Sequence, residues 1–155
     1  MRKDGLPLYY LATMIPADDE DVRRIEHHRL ERKNWGFETI EAPRNISTAT
    51  VHCDPNGSLL MDSVTALLAN EMFDSYGNIN YEAARKTRDD LIVVTQKFEN
   101  IVFVSDYIFS DAAQYDNVTE MYREGLASLG TLLASICDQV FELCGGSIIV
   151  HKNTV

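Results

Sequence analysis

Arg24, His28 and Arg32 stand at i, i+4 and i+8 in the run Val22-Arg23-Arg24-Ile25-Glu26-His27-His28-Arg29-Leu30-Glu31-Arg32, and on a helix they share one face. An imidazole set among guanidinium groups suits attack on a nucleotide. The arginines would neutralise phosphate oxygens while the neutral ring nitrogen attacks phosphorus and gives a phosphoramidate. On the local pattern alone, the commoner reading is a pair of solvated histidines on a charged helix. Asp62 closes the apolar run Leu59-Leu60-Met61. A nucleotide-binding sheet presents its Mg²⁺-organising carboxylate in this way, and a helix cap is written the same way. Asp106 has the same placement after Ile101–Ser105.

The elements that must position these groups alternate along the chain. Pro7–Thr13 is an apolar run bounded by Gly5 and Pro16 and predicts a buried strand. Acids at 18–21 followed by bases at 23–33 give the order that a helix macrodipole favours. Phe37–Ile40 predicts a second strand, Asn45–Gly57 a polar surface connection, and Ser58–Met61 a third strand ending at Asp62. Val64, Leu67, Leu68 and Met72 predict a helix, and Tyr81–Phe98 another, capped by Asn80. Ile101–Val104 reads as a strand covered on both faces. Asn117 with Glu120 reads as a capping box that opens a long helix, and Gln139–Leu143 and Ser147–Val150 as two strands around Gly145-Gly146. Such alternation implies one domain over residues 1–155, a mostly parallel sheet with helices on both faces. Ligands then sit beyond the carboxyl ends of the strands, where Thr13, Asp62 and Ser105-Asp106 would be neighbours.

The bulk composition narrows the function classes. A net charge of −10 over 155 residues leaves no basic surplus for a nucleic-acid or anionic-membrane binder. No window approaches the 18 or more consecutive apolar residues of a membrane span. The short, interrupted apolar run near Met1 reads as a strand rather than a signal peptide. The three cysteines (Cys53, Cys137 and Cys144) form no C-x-x-C and read as free thiols of a reducing cytoplasm. His52 and His151 are assigned no role. A phosphate-cradling G-x-x-x-x-G-K-[ST] loop does not occur; the nearest string, Gly125–Thr131, lacks the lysine and lies in a helical stripe.

Taken in order, these segments resemble a known family. Tyr10–Arg29 follows the pattern A-T-x-x-x-x-D-x-E-x-x-x-R-I-x-x-H-R, and the likeness continues through GFETIE, LLMDSVTALLANEMF, IVFVSDYIFSD, YREGLASLGTLLASICDQVFELCGG and IIVHK. The chain is thereby similar to the bifunctional adenosylcobinamide kinase / adenosylcobinamide-phosphate guanylyltransferase family. The resemblance implies a RecA-like P-loop NTPase fold, a homotrimer, a cytoplasmic place in cobalamin biosynthesis, and GTP or ATP with Mg²⁺ as substrates. Its members phosphorylate adenosylcobinamide and then transfer GMP onto that phosphate through a guanylyl-histidine. The acceptor falls on His28 rather than His27, the metal-organising carboxylate on Asp62, and the strand-loop pair on Ala12-Thr13. The purine-side acid falls on Glu41, with Arg24 and Arg32 as phosphate partners.

Two departures limit that transfer. The family's opening strand and G-G-x-x-S-G-K-S loop have no counterpart here, so the chain is expected to be truncated at its start relative to the family. The loop's backbone N–H groups and lysine hold the β- and γ-phosphates, so the kinase half would suffer most. The family's Asn-Glu-Val-Gly reads Asp106-Tyr107-Ile108-Phe109 here. The alternative reading is a non-catalytic nucleotide-binding or assembly subunit derived from the enzyme.

Overall fold

The computed structural model describes residues 5–108 and 113–155. Phe109, Ser110 and Asp111 of the IVFVSDYIFSD run, and Arg2, Lys3 and Asp4 of the opening, lie outside the described residues. The chain divides into two compact units, Met1–Tyr107 and Ile108–Val155.

The first unit is built on a parallel sheet in the order β2-β1-β3-β4. Its strands are β1 (Leu8–Ala12), β2 (Phe37–Glu41), β3 (Ser58–Asp62) and β4 (Asn100–Val104). Parallel neighbours cannot be joined by tight turns, so helices carry the crossovers. They are α1 (Asp19–Arg32) between β1 and β2, α2 (Ile46–Ala49) before β3, and α3 (Val64–Met72) with α4 (Ala83–Lys97) before β4. The arrangement is the α/β, parallel type that the alternation of segments implies, and it is consistent with the P-loop NTPase-like fold that the resemblance implies.

Register separates the sheet into two unlike faces. Tyr9 and Leu11 pair with Leu59 and Met61, and these with Ile101 and Phe103, so all six side chains share one face. Leu11, Leu59 and Met61 are fully buried there, each contributing roughly 1.5–3 kcal/mol. Leu67, Leu68, Leu91 and Val94 of α3 and α4 are equally buried. The Tyr9 ring meets Phe98 edge-on at 6.1 Å between centroids. The opposite face carries Tyr10, Ala12, Glu41 and Asp62, and it is the face with chemistry on it.

Several local expectations are corrected. The Asn45–Gly57 stretch is not merely a surface connection, because α2 lies within it and buries Ile46 completely. Asn45 opens that turn at φ 52°, a conformation asparagine tolerates, and its backbone N–H donates to the Glu71 carboxylate at 2.9 Å. The helix expected from Tyr81 starts at Ala83. Asn80 precedes the cap position and accepts from the Glu82 amide at 3.0 Å, while Tyr81 is exposed. β4 is not covered on both faces: among the described strands it pairs with β3 alone, and Val102 and Val104 are each 39% exposed.

The second unit holds α5 (Asn117–Ile136) and an antiparallel hairpin of β5 (Gln139–Cys144) and β6 (Ser147–Asn153). The cap of α5 falls one residue earlier than the sequence implies. Asp116 accepts from the Val118 and Thr119 amides, and these bonds hold its carboxyl below the usual range, the Thr119 amide foremost. Gly145 and Gly146, at φ 55° and 78°, make the tight turn that only residues free to take positive φ allow. Lys152 donates to the carbonyls of Ala134 and Ser135 and so caps the end of α5. All three cysteines are free thiols, and burial pushes those of Cys53 and Cys137 up.

Candidate active site

The carboxyl rim of the sheet collects the residues singled out in the sequence. Ala12 pairs with Glu41 on one side and Asp62 on the other, so three of them stand abreast. Thr13 continues β1 beyond that row; its amide donates to the Asp62 carbonyl at 3.0 Å. Ser105 and Asp106 join the same rim through Thr65, whose hydroxyl accepts from the Asp106 amide at 2.9 Å.

Thr13 serves as a brace within this structure. It is fully buried, its hydroxyl donates to the Ser63 carbonyl at 2.8 Å, and it accepts from the Ser63 amide at 2.7 Å. Asn70, from the ANEMF run, performs a related task. Its side-chain amide donates to the Thr13 carbonyl at 2.7 Å and to the Pro43 carbonyl at 3.2 Å, tying together the loops that leave β1 and β2. The next residue, Glu71, is buried and meets Lys86 at 2.5 Å.

Asp62 is oriented by a residue that the sequence did not single out. The Tyr10 hydroxyl donates to its carboxylate at 2.6 Å, the short distance of a charge-assisted bond. The Arg32 guanidinium lies over the Tyr10 ring at 3.5 Å, and Phe37 closes on the ring edge-on at 6.1 Å. Burial, then the bond and charge of Asp62, raise the Tyr10 phenol far above its ordinary value; Arg32 opposes the shift. The Nε of Arg32 is buried without a hydrogen-bond partner among the described residues.

Helix α1 begins with Asp18, which accepts from the Glu20 and Asp21 amides at 2.9 Å, and it carries its acids first and bases last. None of its residues is buried. Two side chains of its last turn tie it to the sheet: Arg32 on Tyr10, and Arg29 to Glu41 at 3.8 Å. His28, one residue before Arg29, has its ring about half exposed. Its Nδ1 lies 3.3 Å from the Glu31 carboxylate, and the His27 ring is 6.0 Å away, edge-on. Arg24 does not stand free beside it, because its guanidinium bonds the Asp21 carboxylate. That carboxyl is held below its usual range, first by the Ala17 amide.

The structure therefore joins Ala12, Thr13, Arg32, Glu41 and Asp62 at one rim and adds Tyr10, Arg29 and Asn70 to them. His28 lies on the same helix as Arg29 and Arg32, and its own neighbours among the described residues are Glu31 and His27 rather than the rim. Tyrosine inside an apolar strand gives no functional signal. Four arginines along α1 likewise do not declare which one folds onto the sheet.

A parallel sheet bearing an acid, a buried threonine and an arginine-anchored helix at its carboxyl rim marks a P-loop NTPase-like, nucleotide-using protein. Residues 1–150 match the family described as cobinamide kinase / cobinamide phosphate guanyltransferase, and the chain belongs to that family. It is similar to the bifunctional adenosylcobalamin biosynthesis protein CobU of Escherichia coli (strain K12), with 26% identity covering 92% of this chain and 84% of that protein. It is likewise similar to the protein of the same name from Salmonella typhimurium (strain LT2), at 25% identity and the same coverage. Membership carries a general kinase and guanyltransferase role on nucleotide and cobinamide substrates. Among the described residues, no helix is long and apolar enough to cross a membrane.

Proposed function

We propose that this chain acts in cobalamin biosynthesis by transferring GMP from GTP to adenosylcobinamide phosphate through a guanylyl-histidine at His28. The observation that carries the reading is the side-chain relay from Arg32 over Tyr10 to Asp62. It ties the last turn of α1, the helix that carries His28, to the acidic end of β3.

In the first step a neutral His28 ring nitrogen attacks the α-phosphorus of GTP. A nitrogen–phosphorus bond forms, the bond to the β-phosphate oxygen breaks, and pyrophosphate leaves. In the second, a phosphate oxygen of adenosylcobinamide phosphate attacks the same phosphorus and restores the imidazole. Arg32 and Arg24 supply positive charge toward the phosphates, Arg24 after exchanging its Asp21 partner. Glu41 and Ala12-Thr13 border the nucleotide. Asp62 is a hard oxygen donor already oriented by Tyr10, which fits Mg²⁺: that ion takes one or two carboxylates beside phosphates and water, and it would neutralise phosphate charge there.

Incubation with α-labelled GTP and Mg²⁺ is expected to give an acid-labile label on the wild type and on His27→Ala, and none on His28→Ala. Label persisting in His28→Ala would overturn the assignment. The kinase step, phosphorylation of adenosylcobinamide, needs a phosphate cradle, and the 155 residues contain no G-x-x-x-x-G-K-[ST] loop. The alternative, a nucleotide-binding or assembly subunit, differs in its outcome. It predicts a GTP-induced thermal shift with no covalent label. A cytoplasmic homotrimer completes the proposal, to be checked by sedimentation and fractionation.

A further inference from the structure

The exposed face of α1 carries a second constellation, of which the proposed guanylyl transfer uses His28 alone. His27 and His28 are adjacent, yet both rings turn toward Glu31, one turn further on. The Nδ1 of His27 is 3.5 Å from the Glu31 carboxylate and that of His28 is 3.3 Å, and one ligand atom from each of the three residues lies within 4.8 Å of the others. These separations are long for hydrogen bonds. They match the edge of a tetrahedron whose centre lies about 2.0–2.1 Å from each ligand, roughly 3.3–3.4 Å.

Charge supports the same conclusion. The arginines near Glu31 are engaged elsewhere: Arg24 with Asp21, Arg29 with Glu41, Arg32 on the Tyr10 ring. Arg23 donates to the Asp19 carbonyl. Among the described residues, the partners of the Glu31 carboxylate are the two imidazoles.

We propose that His27, His28 and Glu31 form a site for a transition-metal dication of the Zn²⁺ class, with a fourth position open to water. Two imidazoles and one carboxylate are the donors such ions prefer, whereas Mg²⁺ takes oxygen ligands and does not compete. The third edge, between the two imidazole ligand atoms, is within 4.8 Å, and both rings are exposed. Metal on Nδ1 leaves the proton on the other nitrogen of His28, so the ring has no free lone pair. Metal loading and guanylylation then exclude one another; this consequence rests on His28 being the acceptor, while the site itself does not.

The test is titration of the full chain with Co²⁺ in excess Mg²⁺, followed by visible absorption, with circular dichroism confirming that each variant is folded. The wild type is expected to bind one equivalent with the intense bands of a tetrahedral centre. His27→Ala and Glu31→Gln should each weaken binding by at least about tenfold, as even an outer-shell change can. With α-labelled GTP, Zn²⁺ should suppress labelling of the wild type and not of His27→Ala. Faint octahedral absorption, or equal affinity in the variants, would overturn the site. A wild type that binds Co²⁺ as expected yet never takes label would leave the site standing and remove the guanylyl-transfer reading instead.

Discussion

Tyr10 and Asp62, fifty-two residues apart, meet at 2.6 Å, with the phenol donating and the carboxylate accepting. Tyr10 lies on the same face as Asp62 because β1 and β3 are parallel and in register, Tyr10 opposite Leu60 and Ala12 opposite Asp62. A strand-end acid that would otherwise be a free rotor is thereby aimed along the rim. The cation of Arg32 lies over the same ring.

Replacing Tyr10 by Phe keeps the ring under Arg32 and removes the donor. Hydrogen bonds to charged groups contribute about 1.5–3 kcal/mol, so urea unfolding should show a loss toward the lower end of that range, since Asp62 keeps some access to water. The pH dependence has a definite sign. The folded state holds the Tyr10 proton above the ordinary phenol value of 10.0, so above that pH the unfolded chain carries fewer protons and stability falls. Wild-type stability should therefore decline with rising pH from about 10 more steeply than that of Tyr10→Phe. Parallel slopes would contradict the assignment.

Thr13→Val tests the brace at the end of β1. The substitution preserves shape but leaves the part-buried Ser63 amide without its acceptor, a loss toward the lower end of about 1–3 kcal/mol. Thr13→Ser keeps the hydroxyl and should lose less. Chemical denaturation of the pair separates the hydrogen bonds from the methyl contact.

Much of this scaffold was legible beforehand, and the reasons are local. Strands β1 and β3 announce themselves as short apolar runs between Gly, Pro and polar breaks, and β2 more weakly by Phe37, Thr39 and Ile40 after Gly36. Helix α1 does so by its order of acid and base. The rim neighbours followed from parallel topology alone. The four-residue helix α2 was not legible, because Ile46-Ser47-Thr48-Ala49 is too short to show a period. The partners of Arg24, Arg29 and Arg32 were not legible either. Side chains at i and i+4 share a face, but spacing does not say whether a guanidinium turns to solvent, to an acid, or onto a ring two elements away. Asn70 illustrates the same limit: its place in the sequence is plain, and its two carbonyl partners are visible only once β1 and β2 lie side by side.

Asn70 gives a prediction of sign. Asn70→Ala removes two donors from the carbonyls of Thr13 and Pro43. Asn70→Asp instead places a carboxylate against those two acceptors. At neutral pH the aspartate variant should be the less stable of the two, and acid should narrow the gap as its carboxyl gains a proton. Hydrogen exchange should quicken in the loops around Thr13 and Ala42–Arg44. An aspartate variant as stable as wild type would show that the clamp contributes nothing.

Gly57 allows the chain to pass beneath the Tyr9 ring just before β3. A methyl group at that position would lie 2.8 Å from a ring carbon of Tyr9 and 2.9 Å from the Pro7 carbonyl oxygen. The backbone oxygen cannot swing aside as a side-chain tip would. Tyr9 is also held, since its hydroxyl accepts from the Asp54 amide at 3.0 Å. Gly57→Ala should cost about 1–3 kcal/mol, the usual range for overpacking, as a lowered urea midpoint with unchanged slope.

Asp62→Asn completes the comparison with Tyr10→Phe, because it retains an oxygen to accept the phenol proton and removes only the charge. Stability should therefore change less than in Tyr10→Phe. The Tyr10 phenol, followed by ultraviolet absorbance, should titrate lower than in the wild type. It should remain above an ordinary tyrosine, because burial is the largest cause of its shift and survives the substitution. If Asp62 is the carboxylate that holds Mg²⁺, labelling of His28 should fall by roughly 10²–10³-fold, the scale of losing one electrostatic contact to a transition state. Tyr10→Phe, which keeps the charge but not its orientation, should fall less and recover part of the loss as Mg²⁺ is raised. Equal labelling in Asp62→Asn and wild type would move the metal-holding role to another acid of the rim, with Asp106 the next to test.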